Sequence, residues 1–126
     1  ASAADARREA ADFAFAKFKH LQALICTERS RSSVDVQQLT GLLFDRSATY
    51  TSRSYPLQGI VDRIGAGDAF AAGVLHGLLT GKTPQESIEF GAAAGCLKHS
   101  IPGDFNLLTV ADVELLLSEK GGDVRR

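Results

Sequence analysis

The stretch Asp62-Arg63-Ile64-Gly65-Ala66-Gly67-Asp68 runs straight into Ala69-Phe70-Ala71-Ala72-Gly73-Val74-Leu75, and the change of character between the two decides the fold. Two glycines around an alanine leave backbone N–H groups uncovered where helical periodicity begins. A helix N-terminus carries unpaired donors and partial positive charge, so such a turn is a seat for phosphate. Asp68 falls in the first helical turn beside that seat. An anion cradle with a neighbouring base is what transfer of a phosphoryl group to a hydroxyl requires. The plainer reading is a helix start whose glycines only permit a tight bend. An aspartate at each end and a run of small residues behind it favour the anion seat.

Outward from this point the chain reads as helix on both sides of a short sheet region. The helix opening at Ala66 or Gly67 extends to about Leu79 and places Phe70, Ala71, Val74, Leu75 and Leu78 on one stripe. Gly73 and Gly77 lower its helix propensity but allow a neighbour to come close. Thr83-Pro84-Gln85-Glu86 starts the next helix, with Thr83 as cap and Glu86 three residues on, and that helix runs to about His99. Thr109 caps a last helix through Glu119 that turns Val113, Leu116 and Leu117 inward, and residues 121–126 read as a frayed tail. Upstream, Ser2 and Asp5 cap a helix to about His20 with apolar or small residues at Ala6, Ala10, Phe13, Ala14, Phe18 and Leu21. Ala23-Leu24-Ile25-Cys26-Thr27 reads as a short buried strand of the parallel-sheet kind. The polar residues 28–38 read as a loop. Gly41-Leu42-Leu43-Phe44 and Ala48-Thr49-Tyr50-Thr51 flank a turn at Asp45-Arg46-Ser47 and form a hairpin. Tyr55-Pro56-Leu57 breaks the pattern, and residues 58–61 read as a further edge strand.

The chain has 126 residues, 44% of them apolar and 23% charged, which suits one domain with a core. A formal net charge of −1 argues against nucleic acid or an anionic membrane as partner. The longest run without a charged residue, 69–81, is too short to span a bilayer. Cys26 and Cys96 lie far apart without metal-ligand spacing, which fits a reduced, cytoplasmic setting. The sequence contains no methionine and starts Ala1-Ser2-Ala3-Ala4, so it reads as part of something larger. Two or three strands with four helices leave sheet edges and helix faces without partners. Copies of the chain, or a missing N-terminal half, are expected to complete the sheet. Gly77-Leu78-Leu79-Thr80-Gly81-Lys82-Thr83 falls one residue short of a nucleotide-binding P-loop and reads as a link between helices. His20, His76 and His99 lack metal spacing, and Arg7, Arg8, Arg29 and Arg31 read as solvated.

Residues 62–68 resemble the Asp-Thr-x-Gly-Ala-Gly-Asp signature of the ribokinase-like (PfkB) carbohydrate kinases, with Arg63 in place of Thr. Arg53-Ser54-Tyr55, Ile60-Val61-Asp62-Arg63 and the segment from Cys96-Leu97-Lys98-His99 through Ser100-Ile101-Pro102-Gly103-Asp104-Phe105-Asn106 are similar to its 2-keto-3-deoxygluconate kinase branch. The resemblance covers roughly residues 42–117. It implies a three-layer α/β/α fold of the α/β class, of which this chain is the C-terminal part over residues 1–126. It implies ATP and Mg²⁺, a small sugar-acid substrate, and K⁺ or Na⁺ near Asp62 and Ile64. Asp68 is then the general base and touches the sugar hydroxyl, and Gly65, Ala66 and Gly67 form the anion hole. Asp104 contacts the sugar acid. Thr27 and Gly41 take the place of a glycine-bearing nucleotide loop, and Ala92 faces the adenine or packs its helix. Another ribokinase-like kinase, such as a fructokinase, or a non-catalytic nucleotide-binding fragment are the competing readings.

Overall fold

In the computed structural model, Gly41-Leu42-Leu43-Phe44 lies at the middle of the sheet with all four residues buried. The structure describes residues 3–31, 37–57, 66–99 and 109–121. In chain order they form α1 (Ala3–Lys17), β1 (Leu24–Arg31), β2 (Gln37–Phe44), β3 (Thr49–Thr51), β4 (Tyr55–Pro56), α2 (Ala66–Leu79), α3 (Pro84–Lys98) and α4 (Val110–Gly121). Strand β2 pairs with β1, β3 and β4, each time antiparallel. Alternate side chains of a strand face opposite ways. Leu42 and Phe44 accordingly pack with Ala11 and Phe15 of α1. Leu43 packs on the other face with Phe70, Val74 and Ile88 of α2 and α3. The result is the expected three-layer α/β/α arrangement.

Antiparallel pairing of β1 corrects the parallel-sheet expectation. Helices on both faces make a strand apolar throughout whichever way its neighbour runs, so the run at residues 23–27 carries no sign of direction. The strand also continues four residues beyond Thr27, through the stretch that reads as a loop. Glu28, Arg29, Ser30 and Arg31 stand opposite Thr40, Leu39, Gln38 and Gln37. Main-chain pairing holds them there, and it asks nothing of side-chain polarity. Tyr55-Pro56 also departs from expectation, because it forms β4 against Gln38 and Leu39. Proline is tolerated there because an edge position needs no N–H donor. The edge strand expected at residues 58–61 lies outside the described residues.

Helix α1 stops at Lys17, short of the expected His20. Its inward residues are Ala11 and Phe15, whereas Phe13 and Phe18 are 71% and 57% exposed. The stop has a visible cause. Arg46 donates from Nη1 to the Phe15 carbonyl at 2.9 Å and from Nη2 to those of Phe18 and Lys19 at 3.0 and 2.8 Å. Arg8 reciprocates, donating to the carbonyls of Ala48 and Asp45, both at 2.8 Å, and pairing with Asp12. Its guanidinium lies 5.7 Å from the Phe44 ring centre. Arg8 is thus a tie between α1 and the hairpin turn, not a solvated side chain.

Among the described elements, α2 and α3 make the most extensive contact. The buried face of α2 is Ala66, Ala69, Phe70, Gly73, Val74 and Gly77, while Leu75 and Leu78 are 54% and 38% exposed. Size, more than hydrophobicity, selects that face. A Cβ placed on Gly73 would lie 2.9 Å from the Gly91 Cα, and one on Gly77 would lie 2.8 Å from the Ser87 Cα. Between the helices Gly81 takes a positive φ of 90°, as a link and not a phosphate loop. Thr83 and Glu86 exchange the two bonds of a capping box at the start of α3, which ends at Lys98 with His99 as cap. Thr109 and Asp112 do the same for α4, where Val113 is buried and Leu116 and Leu117 are half-buried. That helix runs to Gly121, two residues past the expected Glu119. Residues 122–126 lie outside the described residues.

The turn between β2 and β3 rests on one carboxylate. Asp45 Oδ1 accepts from the backbone N–H groups of Ser47 and Ala48 at 2.9 and 2.7 Å and from the Ser47 hydroxyl at 3.2 Å. Burial pushes the Asp45 carboxyl up, but these donors outweigh it and hold the group below its ordinary value. A depressed carboxyl stabilises the fold above its unfolded value, and that contribution fades as pH falls through the lower folded value. Asp45→Asn should therefore be less stable than the native chain at neutral pH, by on the order of 1 kcal/mol. The deficit should shrink below about pH 4, near the unfolded carboxyl value. Urea unfolding of both proteins across the acid range measures the difference directly.

Candidate active site

The first turn of α2 is set by which of its residues are buried. Ala66, Ala69 and Phe70 are buried, and this rotation leaves Gly67 and Asp68 exposed. A Cβ on Gly67 would meet nothing within 4 Å, so a ligand has open access to the backbone there. The N–H groups of a helix's first turn have no intrahelical acceptor. An exposed carboxylate, donors without an intrahelical acceptor and the positive helix end thus meet in one turn. That combination suits an anion whose neighbouring hydroxyl is to lose a proton.

Behind this turn lie the two residues expected in a nucleotide loop. Thr27 and Gly41 are direct cross-strand partners in β1 and β2, in mid-strand rather than in a loop. Gly41 is buried. Its N–H donates to the Ser52 hydroxyl at 2.8 Å and its carbonyl accepts from the Ser52 N–H at 2.9 Å. A Cβ there would lie 2.9 Å from Phe70 Cε1 and 3.1 Å from Ile88 Cδ1. Gly41 therefore seats Phe70, two residues after Asp68, and its own polar backbone groups are already engaged. Ala92 is fully buried, in a cluster with Tyr55, Ala93 and Val113. Asp62, Ile64, Gly65 and Asp104 lie outside the described residues.

Among the described residues no three His, Cys, Asp or Glu side chains gather to hold a metal ion. Magnesium at phosphoryl-transfer sites takes much of its shell from phosphate oxygens and water, with one or two carboxylates. That mode calls for no cluster of protein ligands, so these residues are compatible with it. Two of the histidines sit in packing contacts: His76 lies 4.9 Å from the Phe90 ring, and His99 Nδ1 is 2.7 Å from the Gly95 carbonyl. One charged group at this end escapes a sequence reading. Lys98 is fully buried, and its signal is the spacing Ser87, Gly91, Ala94, Lys98 on one face of α3.

Residues 5–108 match the profile described as pfkB family carbohydrate kinase. The chain belongs to this family. Two curated relatives are similar to part of this chain. A 2-dehydro-3-deoxygalactonokinase of Haloferax volcanii is 40% identical over 63 residues, which is 50% of this chain and 19% of that protein. A 2-dehydro-3-deoxygluconokinase of Bacillus subtilis is 43% identical over 47 residues, 37% of this chain and 14% of that protein. Among solved structures, a protein of Enterococcus faecalis described as a 2-keto-3-deoxygluconate kinase superposes with a TM-score of 0.83 at 33% identity, covering 94% of this chain. The 2-dehydro-3-deoxygluconokinase of Thermotoga maritima gives 0.80 at 37% identity, covering 90%. This pfkB chain spans 34% of the length of each of those two structures, and under a fifth of the curated relatives.

The seating of Phe70 gives a contrast between two glycines. Gly41→Ala should destabilise the fold by about 1–3 kcal/mol, since Phe70 and Ile88 must both give way. Gly67→Ala should change stability by no more than about 1 kcal/mol, because its Cβ enters open space. Urea unfolding of the two variants separates them, and a Gly41→Ala protein as stable as the native one would remove the packing role assigned here.

Proposed function

We propose that the complete gene product carrying this chain is an ATP-dependent kinase of a small sugar acid, with 2-keto-3-deoxygluconate as substrate and its 6-phosphate as product. The observation that carries the reading is the first turn of α2, where Gly67 and Asp68 face outward from a helix anchored by buried Ala66, Ala69 and Phe70. In this reading Asp68 takes the proton from the attacking hydroxyl. The N–H groups of Ala66 and Gly67, with Gly65 before them, receive the charge that spreads over the phosphoryl oxygens. Magnesium, when bound, neutralises charge on the phosphate oxygens, and a monovalent cation near Asp62 and Ile64 belongs to the same reading. Asp104 is proposed to meet the sugar acid, and Thr27 to lie on the nucleotide side. A reduced cytoplasmic setting is the one that such a substrate and two free cysteines suit.

The names of the relatives support a keto-deoxy sugar acid and leave two C4 epimers, since one acts on the galactonate and the other on the gluconate series. The test is ADP release by the complete gene product with ATP and Mg²⁺, across 2-keto-3-deoxygluconate, its galactonate epimer, fructose and ribose. Turnover with the keto acids and little with the neutral sugars is expected. Asp68→Asn should lower kcat by roughly 10²–10⁴ while nucleotide affinity stays near native. Near-native turnover in that variant would remove Asp68 from the role of base. Preference for fructose would move the protein to another branch of the family.

A further inference from the structure

Tyr55 has none of its surface in solvent, and nearby Arg53 keeps one guanidinium nitrogen, Nη1, equally out of reach. Among the described residues, neither that nitrogen nor the Tyr55 hydroxyl has a hydrogen-bond partner. Buried polar groups are almost always paired, because leaving one unmade is costly. Burial pushes the Tyr55 phenol up to about 12, with Arg53 drawing it down and Glu89 and Cys96 adding to the rise, so it is an O–H donor at neutral pH. Arg53 and Glu89 also line a pocket of about 270 Å³ against α3 and α4. Phe90 and Leu117, from the apolar cluster that holds Tyr55, line it too. The carboxylates of this pocket are already engaged. Glu89 accepts from the Arg53 N–H at 3.2 Å and from Gln85 Nε2 at 3.1 Å, Glu86 accepts from the Thr83 N–H at 2.9 Å, and Glu114 pairs with Lys82 at 3.8 Å. Arg53 Nε lies 3.7 Å from Glu89, too far for a hydrogen bond. Two buried donors beside an apolar wall thus call for an acceptor. The Gly67–Asp68 turn lies elsewhere, since the start of α2 meets α3 at Gly95, about 9 Å along the helix from Glu89.

We propose that this pocket binds a small carboxylate, whose oxygens accept from Arg53 Nη1 and the Tyr55 hydroxyl and whose apolar part rests on Phe90 and Leu117. A guanidinium beside a phenol suits that guest, because bonds to a charged acceptor are the strong ones and the planar fork matches a carboxylate. An ammonium guest would compete for carboxylates that already have donors, and it would meet the charges of Arg53 and Lys82. The bound carboxylate ties the approach to β4 to α3 and α4, and it stabilises the protein because only the folded chain presents the two donors together. This is a second site, and it does not depend on the kinase reading.

The test uses the complete gene product, native and with Tyr55→Phe or Arg53→Lys. Calorimetric titration and thermal unfolding are run with sodium butyrate, butan-1-ol and butylammonium chloride at one ionic strength. The three probes share an apolar tail and differ only in the head. Butyrate should bind saturably and raise the unfolding temperature of the native protein, and the other two should not. Tyr55→Phe should weaken butyrate about tenfold, the scale of one lost bond to a charged acceptor. Arg53→Lys, which keeps the charge but not the fork, should weaken it to a similar degree. In butyrate-free buffer Tyr55→Phe should be at least as stable as the native protein, since it removes a hydroxyl that has no partner. A Tyr55→Phe protein that is less stable there, or unfolded, shows the hydroxyl already satisfied and overturns the proposal. No saturable butyrate binding, or binding of butylammonium as tight as butyrate, overturns it as well. Butyrate held elsewhere, as at the sugar-acid site, would be indifferent to both substitutions, and that result also rejects the pocket. The readout is binding and not turnover, so failure of the kinase reading and failure of this inference are seen separately.

Discussion

The distance between α2 and α3 governs the rest of the structure. A glycine in a helix interior costs roughly 0.5–1 kcal/mol relative to alanine, and this helix pair carries several. What offsets that cost is backbone-to-backbone approach, with Gly73 against Gly91 and Gly77 against Ser87. Once the pair is closed at those points, the rotation of α2 is settled. Ala66 turns in beneath Gly95, and the next two residues have nowhere to go but outward. The exposed Gly67–Asp68 pair is thus a product of packing that begins more than a turn further along the helix. Local loop chemistry alone would leave its direction open.

The sheet supplies the second fixed surface. Strand β2 touches α1 with Leu42 and Phe44 and the α2–α3 layer with Leu43. Gly41 lets Phe70 lie flush on the strand, so the helix that carries Asp68 is pinned from below as well as from the side. On the far face Arg8 and Arg46 exchange places, each side chain reaching main-chain carbonyls of the other's element. Guanidinium groups suit this because their fork of donors meets several oxygens at once. Their net worth is modest where exposed, but they define where α1 ends and how it meets the hairpin.

What can be read from the chain follows the range of the forces involved. Thr83, Pro84 and Glu86 announce the start of α3, and Asp45 announces the hairpin, because caps and turns are satisfied by neighbours in sequence. The start of α2 is legible for the same reason, since bare N–H groups after a glycine pair are a local matter. The inward face of α2 is not, because exposed Leu75 and Leu78 are more hydrophobic than the glycines that are actually buried. In α1, Phe13 and Phe15 differ by two positions, and only the partner strand decides between them. The polar half of β1 is hidden because backbone pairing leaves no mark on side-chain character. At the site, the mid-strand pairing of Thr27 with Gly41 and the burial of Lys98 both depend on tertiary neighbours. No spacing rule within either segment reveals them.

Strand β1 has a further consequence for handling the isolated chain. Among the described residues it pairs with β2 alone, so its other side presents a row of main-chain donors and acceptors over eight residues. Its outer half, Glu28 to Arg31, carries one glutamate and two arginines, which discourage a stranger from adding on. Its inner half, Leu24-Ile25-Cys26, has no such guard and is the kind of uncovered segment that recruits another strand. In isolation this chain is therefore open to strand addition at Leu24-Ile25-Cys26, at one margin of the sheet.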